Sequence, residues 1–394
     1  MTSKTLNEVC VFIVDCPHST APDEGTGYPL IRTPNIGKGR LILEGVHRVS
    51  ESAYRKRIQR GTPQEDDLIL AREAPAGNVA IIKNGEKVCL GQRTVLLRPD
   101  KNKVCPDYLV YYLLAPEQQY KLLGTANGAT VAHVNIPVIR NLPVSLPSLE
   151  KQRKIAKCLS AYDDLIENNR KQIKLLEEAA QRLYKEWFID LRFPGYETIP
   201  IHDGIPEGWY VSTVEKMCIL CKNGISPDKL PPGTPYIGLE HIPRKDFCLS
   251  EWGDSSEVTS NKYQFHKNDI IFGQIRPYFH KVGFAIVDGV ASSDSFIMMP
   301  AEKTWGLFLM TVSSEAFVNY SYQTCKEGAK MPRADWNQMK SYAVLVAAGK
   351  TQSAFESFIR EIAGKIRALA LQNKHLIEAR DCLLPKLMNG EMEV

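Results

Sequence analysis

The sequence lacks any apolar run near the roughly 20 residues that a membrane-spanning helix needs. Its first residues, MTSKTLNEVC, lack the basic and then apolar pattern of a secretory signal. Its 10 cysteines are scattered and show no short spacing typical of a disulfide framework. An excess of one charge is also missing, because the formal net charge is only +4 in 394 residues. We therefore expect a cytoplasmic protein in which any anion-binding surface is a local patch.

Motifs for enzymatic chemistry are absent as well. There is no Gly-x-x-x-x-Gly-Lys-Ser/Thr phosphate loop and no His-Glu-x-x-His. An adenine methyltransferase would need a Gly-rich cofactor loop after a strand, and GTANG (124–128) does not follow one. Glu86 and Lys87 lack the Glu-x-Lys spacing of a nuclease. The sequence therefore predicts a chain with no catalytic residues and no bound cofactor.

One cysteine pair is the best candidate for a metal site. Cys218 and Cys221 form a CxxC motif, with His241 and Cys248 downstream. A single CxxC without a second pair at standard spacing is a weak signal for zinc. Cysteines in a strand-like run are more often part of a core, so we predict no metal.

What the sequence does have is a long helical pattern in the middle of the chain. It follows LPSLEKQRKI (146–155), and no Pro or Gly interrupts residues 148–193. Apolar positions alternate in steps of four and three, which is typical of a coiled-coil seam with one polar member, Asn169. At 1.5 Å per residue this helix would be roughly 55–60 Å long. The alternative is a long amphipathic helix that packs on its own domain. The seam positions are Ile155, Leu159, Tyr162, Ile166, Asn169, Ile173, Leu176, Ala180, Leu183 and Trp187.

The C-terminal residues repeat this seam 200 positions later. Gln152 recurs as Gln352, and the polar Asn recurs as Asn373. The repeated seam is Phe355, Ile359, Ile362, Ile366, Leu369, Asn373, Leu376, Arg380, Leu383 and Leu387. Upstream, Gly128-Ala129 matches Gly328-Ala329, EDDLIL (65–70) matches KNDIIF (267–272), and YPLIRTPNI (28–36) matches TPYIGLEHI (234–242). The sequence therefore predicts an internal duplication.

The polar seam positions predict how the two helices pair. In an antiparallel pair, Asn169 can lie opposite Asn373, where each amide satisfies the other. Ile155 then faces Leu387, Ile166 faces Leu376, and Trp187 faces Phe355. Tyr162 faces Arg380, a layer that requires both polar tips to reach solvent. Such helices would separate two globular domains like a ruler.

The coarse secondary structure indicates an α+β protein with two similar mixed α/β domains. Predicted strands are 67–74, 78–83, 93–99, 269–275 and 283–289, and predicted helical stretches are 106–123 and 305–323. We predict globular domains at 1–148 and 191–347, a central spacer helix at 149–190, and a C-terminal spacer helix at 348–394.

These segments carry a resemblance to a known family. DLILAREAPAGNVAII (67–82), CLGQRTVLLRP (89–99) and the run from Gly128 to Phe188 resemble the specificity subunit (HsdS) of type I restriction–modification systems. The resemblance implies that each globular domain reads half of a split DNA target. It also implies that the helices set the spacer and dock two modification (methyltransferase) subunits.

Candidate DNA-binding residues follow from the chemistry of phosphates and base edges. SAYRKRIQR (52–60) is the densest basic cluster, although such a run is often only a solvated face. Arg72 and Arg93 could instead be partners of carboxylates such as Asp66 and Glu73. The predicted set is Arg32, Lys38, Arg40, Arg55, Lys56, Arg57, Arg60, Arg72, Arg93, Gln274, Arg276, Tyr278, His280, Lys281, Lys330 and Arg333.

The sequence thus predicts a non-catalytic DNA-recognition subunit. By the resemblance, its partners are double-stranded DNA, two methyltransferase subunits and restriction/translocase subunits. S-adenosylmethionine, ATP and Mg are expected in those partner subunits. The alternative is a two-headed coiled-coil adaptor that assembles other proteins.

Overall fold

The computed structural model describes residues 4–83, 85–124, 133–326, 328 and 330–394. The chain divides into two compact units. The first comprises Met1–Glu167 with His375–Val394, and the second comprises Asn168–Lys374. Each unit therefore contains one globular domain together with one end of each long helix. Within the described ranges, no helix is both long enough and apolar enough to cross a membrane.

The globular domain of the first unit combines short strands with short helices. Its strands are β1 Lys4–Thr5, β2 Cys10–Asp15, β3 Tyr28–Ile31, β4 Gly39–Arg40, β5 Arg48–Val49, β6 Leu68–Ala71, β7 Val79–Ile81, β8 Cys89–Leu90, β9 Thr94–Pro99 and β10 Pro143–Val144. Its helices are α1 Leu6–Val9, α2 Glu51–Arg57, α3 Pro106–Leu114, α4 Pro116–Leu123 and α5 Ile136–Arg140. The long helix α6 spans Leu149–Tyr184 and continues as a π-helical turn over Lys185–Ile189.

The second unit follows the same plan. Its strands are β11 Ile201–His202, β12 Ile205–Pro206, β13 Tyr210–Thr213, β14 Cys218–Cys221, β15 Gly224–Ile225, β16 Pro235–Ile237, β17 Cys248–Leu249, β18 Gly253–Asp254, β19 Lys262–Phe265, β20 Ile270–Gly273, β21 Val282–Ala285, β22 Gly289–Ala291, β23 Ser295–Pro300 and β24 Ala343–Val346. Its helices are α7 Val214–Met217, α8 Trp305–Val312, α9 Glu315–Gln323 and α10 Trp336–Met339, and the long helix α11 spans Gly349–Met388.

The predicted duplication is confirmed by the sheet topology. The central sheet of the first unit has the order β2-β9-β6-β7-β4, and that of the second has the order β14-β23-β20-β21-β17. In both sheets only the last pair is parallel, β4 with β7 and β17 with β21. The matched segments YPLIRTPNI and TPYIGLEHI each form a strand followed by a 3-10 turn, over Thr33–Asn35 and Leu239–His241. The matched pair Gly128-Ala129 lies outside the described residues.

The middle strand of each central sheet separates two core layers. Leu68 and Leu70 of β6 pack in one hydrophobic cluster, whereas Ile69 packs in another. In β20, Ile270 and Ile271 divide between two clusters in the same way. Successive side chains of a strand point to opposite faces, so a strand covered on both faces reads as a continuous apolar run. This explains the LILA and IIF runs of the two strands.

The two long helices are antiparallel in each unit. In the first unit, Ile155 and Leu159 of α6 share one core with Leu387 of α11. In the second unit, Asn169 Nδ2 donates to Asn373 Oδ1 at 2.9 Å. The rings of Trp187 and Phe355, also in the second unit, lie 5.7 Å apart. In both units, residues that come early in one helix lie beside residues that come late in the other, as the predicted register requires.

One layer differs from the sequence prediction. The prediction that the tip of Arg380 reaches solvent is wrong, because the Arg380 side chain is only 11% exposed. Its guanidinium instead pairs with the carboxylate of Asp163, which is 4% exposed. Tyr111 OH donates to the other oxygen of Asp163 at 2.6 Å. The charge on Arg380 is therefore neutralised inside the first unit by a neighbour that the apolar seam does not include.

Polar side chains near the start of each long helix hold the adjoining domain. Gln152 Oε1 accepts a hydrogen bond from Cys105 N at 2.9 Å, at the beginning of α3. Glu356 accepts from Gly306 N at 2.7 Å and from Leu307 N at 3.0 Å, at the beginning of α8. Burial raises the pKa of Glu356. Both side chains satisfy amides that a helix leaves unpaired at its N-terminus, so they fix the first domain helix against the long helix.

The buried asparagine pair gives a testable prediction. Replacing Asn169 by leucine leaves the Asn373 amide, 7% exposed, without its seam partner. We expect a loss of about 1–3 kcal/mol in the free energy of unfolding, measured by urea denaturation. The double variant Asn169→Leu/Asn373→Leu should recover most of that loss, whereas the exposed control Asn168→Ala should change little. A single variant as stable as the wild type would contradict the pairing.

Candidate DNA interface

Both domains build the same three-segment arrangement at one end of the central sheet. In the first domain, Arg72 N donates to Arg93 O at 2.8 Å, and Val134 N donates to Arg72 O at 3.0 Å. In the second domain, Gln274 N donates to Asp294 O at 2.9 Å, and Ala334 N donates to Gln274 O at 2.9 Å. We call residues 72–78, 92–94 and 133–134 the first ledge. We call residues 274–281, 292–294 and 330–335 the second ledge.

Arg72 is a structural centre of the first ledge. It is 8% exposed. Its Nη1 contacts both carboxylate oxygens of Asp15 at 3.1 Å, and its Nε donates to Val134 O at 2.9 Å. The carboxylate partner is therefore Asp15, not Asp66 or Glu73. With all these groups engaged, Arg72 holds the ledge together and has no free face for a base.

Arg93 and His133 form the outer part of the first ledge. Arg93 Nε lies 2.9 Å from a Glu73 carboxylate oxygen, and the Arg93 side chain is 59% exposed. His133 Nδ1 lies beside the other Glu73 oxygen, and its Nε2 lies 2.8 Å from Arg72 Nη2. Sequence reasoning missed His133 as a ledge residue. The 200-residue offset extended upstream would have matched its neighbour Val134 with Ala334 and so placed this segment.

The densest basic cluster divides into two groups. Arg57 is 5% exposed, and its guanidinium donates to the carbonyls of Leu90 and Ser19. Arg60 Nη1 donates to Cys16 O at 3.1 Å. Arg55 pairs with Glu51 on the same helix but is 75% exposed, and Lys56 is exposed. Arg57 therefore attaches α2 to the domain. Arg60 bonds to the domain but stays exposed, and Arg55 and Lys56 remain available to a ligand.

The basic loop before β5 also divides by role. Arg40 Nη2 pairs with Asp164 of α6 at 2.8 Å, within the first unit. Arg32 is half-buried, and its Nε is a buried atom without a hydrogen-bond partner. Lys38 is exposed. Arg40 thus connects the domain to the long helix, whereas Lys38 faces outward.

The second ledge joins the two basic segments of the second domain. Ile275 and Arg333 form an isolated antiparallel bridge, and Arg276 N donates to Pro332 O at 2.8 Å. Arg333 Nη1 pairs with Asp294 at 2.7 Å and stays 54% exposed. Gln274 and Arg276 are half-buried, and Lys330 is exposed. Residues 273–281 and residues 330–336, which are separate in sequence, therefore meet at one surface.

Two predicted residues of this segment make hydrogen bonds within the domain, one of them buried and the other half-buried. His280 is 7% exposed, and its Nε2 donates to Ser313 O at 2.8 Å. Burial lowers the pKa of His280, which favours the neutral imidazole. Lys281 Nζ donates to Leu239 O, and burial lowers its pKa too. These two side chains support the turn that precedes them.

The alternative metal site receives no geometric support. Cys218 and Cys221 lie in β14 as free thiols, and Cys248 is buried in β17. His241 Nδ1 accepts a hydrogen bond from Gly238 N at 2.9 Å. Across the described parts of the chain, no three His, Cys, Asp or Glu side chains are grouped as metal ligands. Residues 125–128 of the GTANG segment lie outside the described residues.

Known proteins resemble this chain in sequence and in fold. Residues 1–178 match the type I restriction modification DNA specificity domain. The MjaIX specificity subunit of Methanocaldococcus jannaschii is 26% identical over 90% of this chain and 83% of its own length. The HindI specificity subunit of Haemophilus influenzae is 21% identical over 86% and 88%. The crystal structure of a type I S subunit from M. genitalium is 14% identical, covers 98% of this chain and 95% of its own, and has a TM-score of 0.54, which shows a shared fold.

Proposed function

We propose that this chain is the sequence-specific DNA-binding subunit of a type I restriction–modification complex, because residues 1–178 match the type I restriction modification DNA specificity domain. Each globular domain reads one half of a bipartite target through its ledge. The coiled coil sets the spacing between the half-sites and docks two modification subunits. The chain recognises DNA and leaves the chemistry to its partners.

The observation that carries this proposal is the ledge built twice with different side chains. The backbone hydrogen bonds are the same in both domains. The outward side chains differ, with exposed Arg93 and half-buried His133 in the first domain and exposed Arg333, Lys330 and Tyr278 in the second. Base edges are distinguished by the side chains that reach them, whereas a common frame fixes position. The same backbone arrangement carrying two different sets of side chains is therefore suited to reading two half-sites of different sequence.

The remaining predicted residues contribute to this surface in two ways. Lys38, Arg55 and Lys56 are exposed cations of the first domain that suit phosphate contact. Arg40, Arg57, Arg72, His280 and Lys281 position the loops that carry the contacting residues. S-adenosylmethionine, ATP and Mg belong to the modification and restriction/translocase subunits that complete the complex.

A map of methylated adenines tests the proposal. The chain is co-expressed with its neighbouring modification subunit in a host that lacks other adenine methylation. We expect methylation at one split sequence with a fixed spacer. Replacing residues 1–148 by the matching segment of another specificity subunit should change one half of that sequence only. Methylation without a split target, or no duplex binding by the complex, would overturn the proposal.

Salt dependence tests the phosphate contacts. Lys330 is exposed on the second ledge, so Lys330→Ala should remove one neutralised phosphate. The slope of log affinity against log salt should then fall by about 1, with affinity lost equally on all duplexes. Lys365 is 60% exposed on α11, outside the ledges, so Lys365→Ala is the matched control. An unchanged slope for Lys330→Ala would place this residue away from DNA.

A further inference from the structure

The second ledge carries an exposed aromatic group whose role phosphate contact does not explain. Tyr278 is 47% exposed and Tyr322 is 48% exposed. Their rings meet edge to face with centroids 5.3 Å apart. Phe279 lies 4.9 Å from Tyr278, and the guanidinium of Arg244 lies over the Phe279 ring at 4.1 Å. Aromatic rings and a cation therefore form one continuous surface.

The turn that presents Tyr278 is held in an unusual conformation. Arg276 has a φ of 50° and His280 a φ of 53°, and they flank the 3-10 turn Pro277–Phe279. Left-handed backbone is costly for residues other than glycine, and it persists where the surroundings enforce it, often at functional sites. Here Arg276 N donates to Pro332 O and His280 Nε2 donates to Ser313 O, both at 2.8 Å. The turn is thus fixed at both ends while Tyr278 remains exposed.

The surroundings of Tyr278 suit a nucleobase. Exposed Lys330 and Arg333 lie on the strip of chain that pairs with the start of the turn. Met331, 54% exposed, lies between them in sequence. Aromatic side chains beside basic groups bind unstacked bases, because every base has a π face and every nucleotide a phosphate. The corresponding part of the first ledge is Ala74-Pro75-Ala76-Gly77, which offers no aromatic ring.

We propose that Tyr278 stacks on a nucleobase of the half-site read by the second domain, with Tyr322 bracing its ring. This inference rests on the proposed function. Adenine modification by a partner subunit requires the target base to leave the duplex stack. An aromatic ring that stacks on a base whose neighbour has left the duplex lowers the free-energy cost of opening the base pair. The second domain would then supply a stacking contact that the first domain lacks.

The test uses the complex with its modification subunits and a duplex containing the mapped target. 2-Aminopurine replaces one base of the second half-site at a time, and its fluorescence reports stacking. Tyr278→Ala should weaken binding about 5- to 150-fold and abolish the fluorescence change at one position. Tyr278→Phe, which keeps the ring, should behave as wild type. The salt slope should be the same in all variants, because no phosphate contact is lost.

The matched control is Tyr210→Ala, which removes a tyrosine 56% exposed on β13, outside the ledge. If Tyr278→Ala binds as well as this control, the stacking contact does not exist. If Tyr278→Phe is as weak as Tyr278→Ala, the hydroxyl group and not the ring makes the contact. If Tyr278→Ala keeps DNA affinity but loses the modification subunit on size-exclusion chromatography, the surface docks protein. In contrast, a wild-type complex that neither binds nor methylates a split target overturns the proposed function itself.

Discussion

Replacing Arg380 by alanine is expected to destabilise the first unit by about 3–5 kcal/mol, because it leaves a buried carboxylate without its cation. Asp163 is 4% exposed, and its remaining donor in the network is Tyr111 OH at 2.6 Å. Desolvation of an unpaired charge costs more than the pair contributes when intact. Urea denaturation followed by circular dichroism measures the change.

Two further variants distinguish the effect of breaking the buried ion pair from the effect of removing any arginine of a long helix. Arg182→Ala removes an arginine that is 81% exposed and pairs with Glu178 on the same helix, so it should cost less than about 1 kcal/mol. The triple variant Arg380→Met/Asp163→Leu/Tyr111→Phe removes the buried ion pair together with the tyrosine that donates to it, and should regain much of the lost stability. If Arg380→Ala is no more damaging than Arg182→Ala, the buried pair contributes nothing to the fold.

Lengthening both long helices by one heptad is expected to abolish methylation of the original target. Seven residues inserted after Asn169 and seven inserted before Asn373 keep the two asparagines and the antiparallel seam in register. Each helix grows by about 10 Å, which corresponds to about three base pairs of duplex. The proposed spacer function then predicts methylation of the same two half-sites separated by about three more base pairs.

A methylated-adenine map of the lengthened variant decides the matter. Arg170→Gln, which changes an exposed residue of the same helix without changing its length, is the control and should leave the map unaltered. Methylation of the original sequence at the wild-type level by the lengthened chain would show that the coiled coil does not set the spacing.

The sequence predicted the fold where its signal was repeated. A seam of ten positions recurring 200 residues later determined the long helices, and the two asparagines determined their antiparallel register. Runs such as LILA and IIF predicted strands, but their place in the middle of each sheet came only from the structure, where a strand covered on both faces is apolar throughout. The seam and the strand runs depend on local periodicity, so one sequence is enough to detect them.

The candidate site was less predictable, because the same residue types serve two purposes. Arg55 and Arg57 are two positions apart, yet one is 75% exposed and the other lies buried against the carbonyls of Leu90 and Ser19. His280 and Tyr278 differ in the same way. Residue type indicated a basic and aromatic surface, but composition does not reveal which side chains point outward.

The sequence by itself thus determined the duplicated plan, the helix pairing and the loops that contain the candidate contacts. Only the tertiary structure decided which cations are free and which are internal partners. Arg72 finds Asp15 across 57 residues, Arg380 finds Asp163 across 217, and the second ledge forms from backbone bonds between residues 274–276 and 332–334. Such partners are chosen by the packing of distant segments, because a buried charge must be neutralised by whatever group the fold brings within reach.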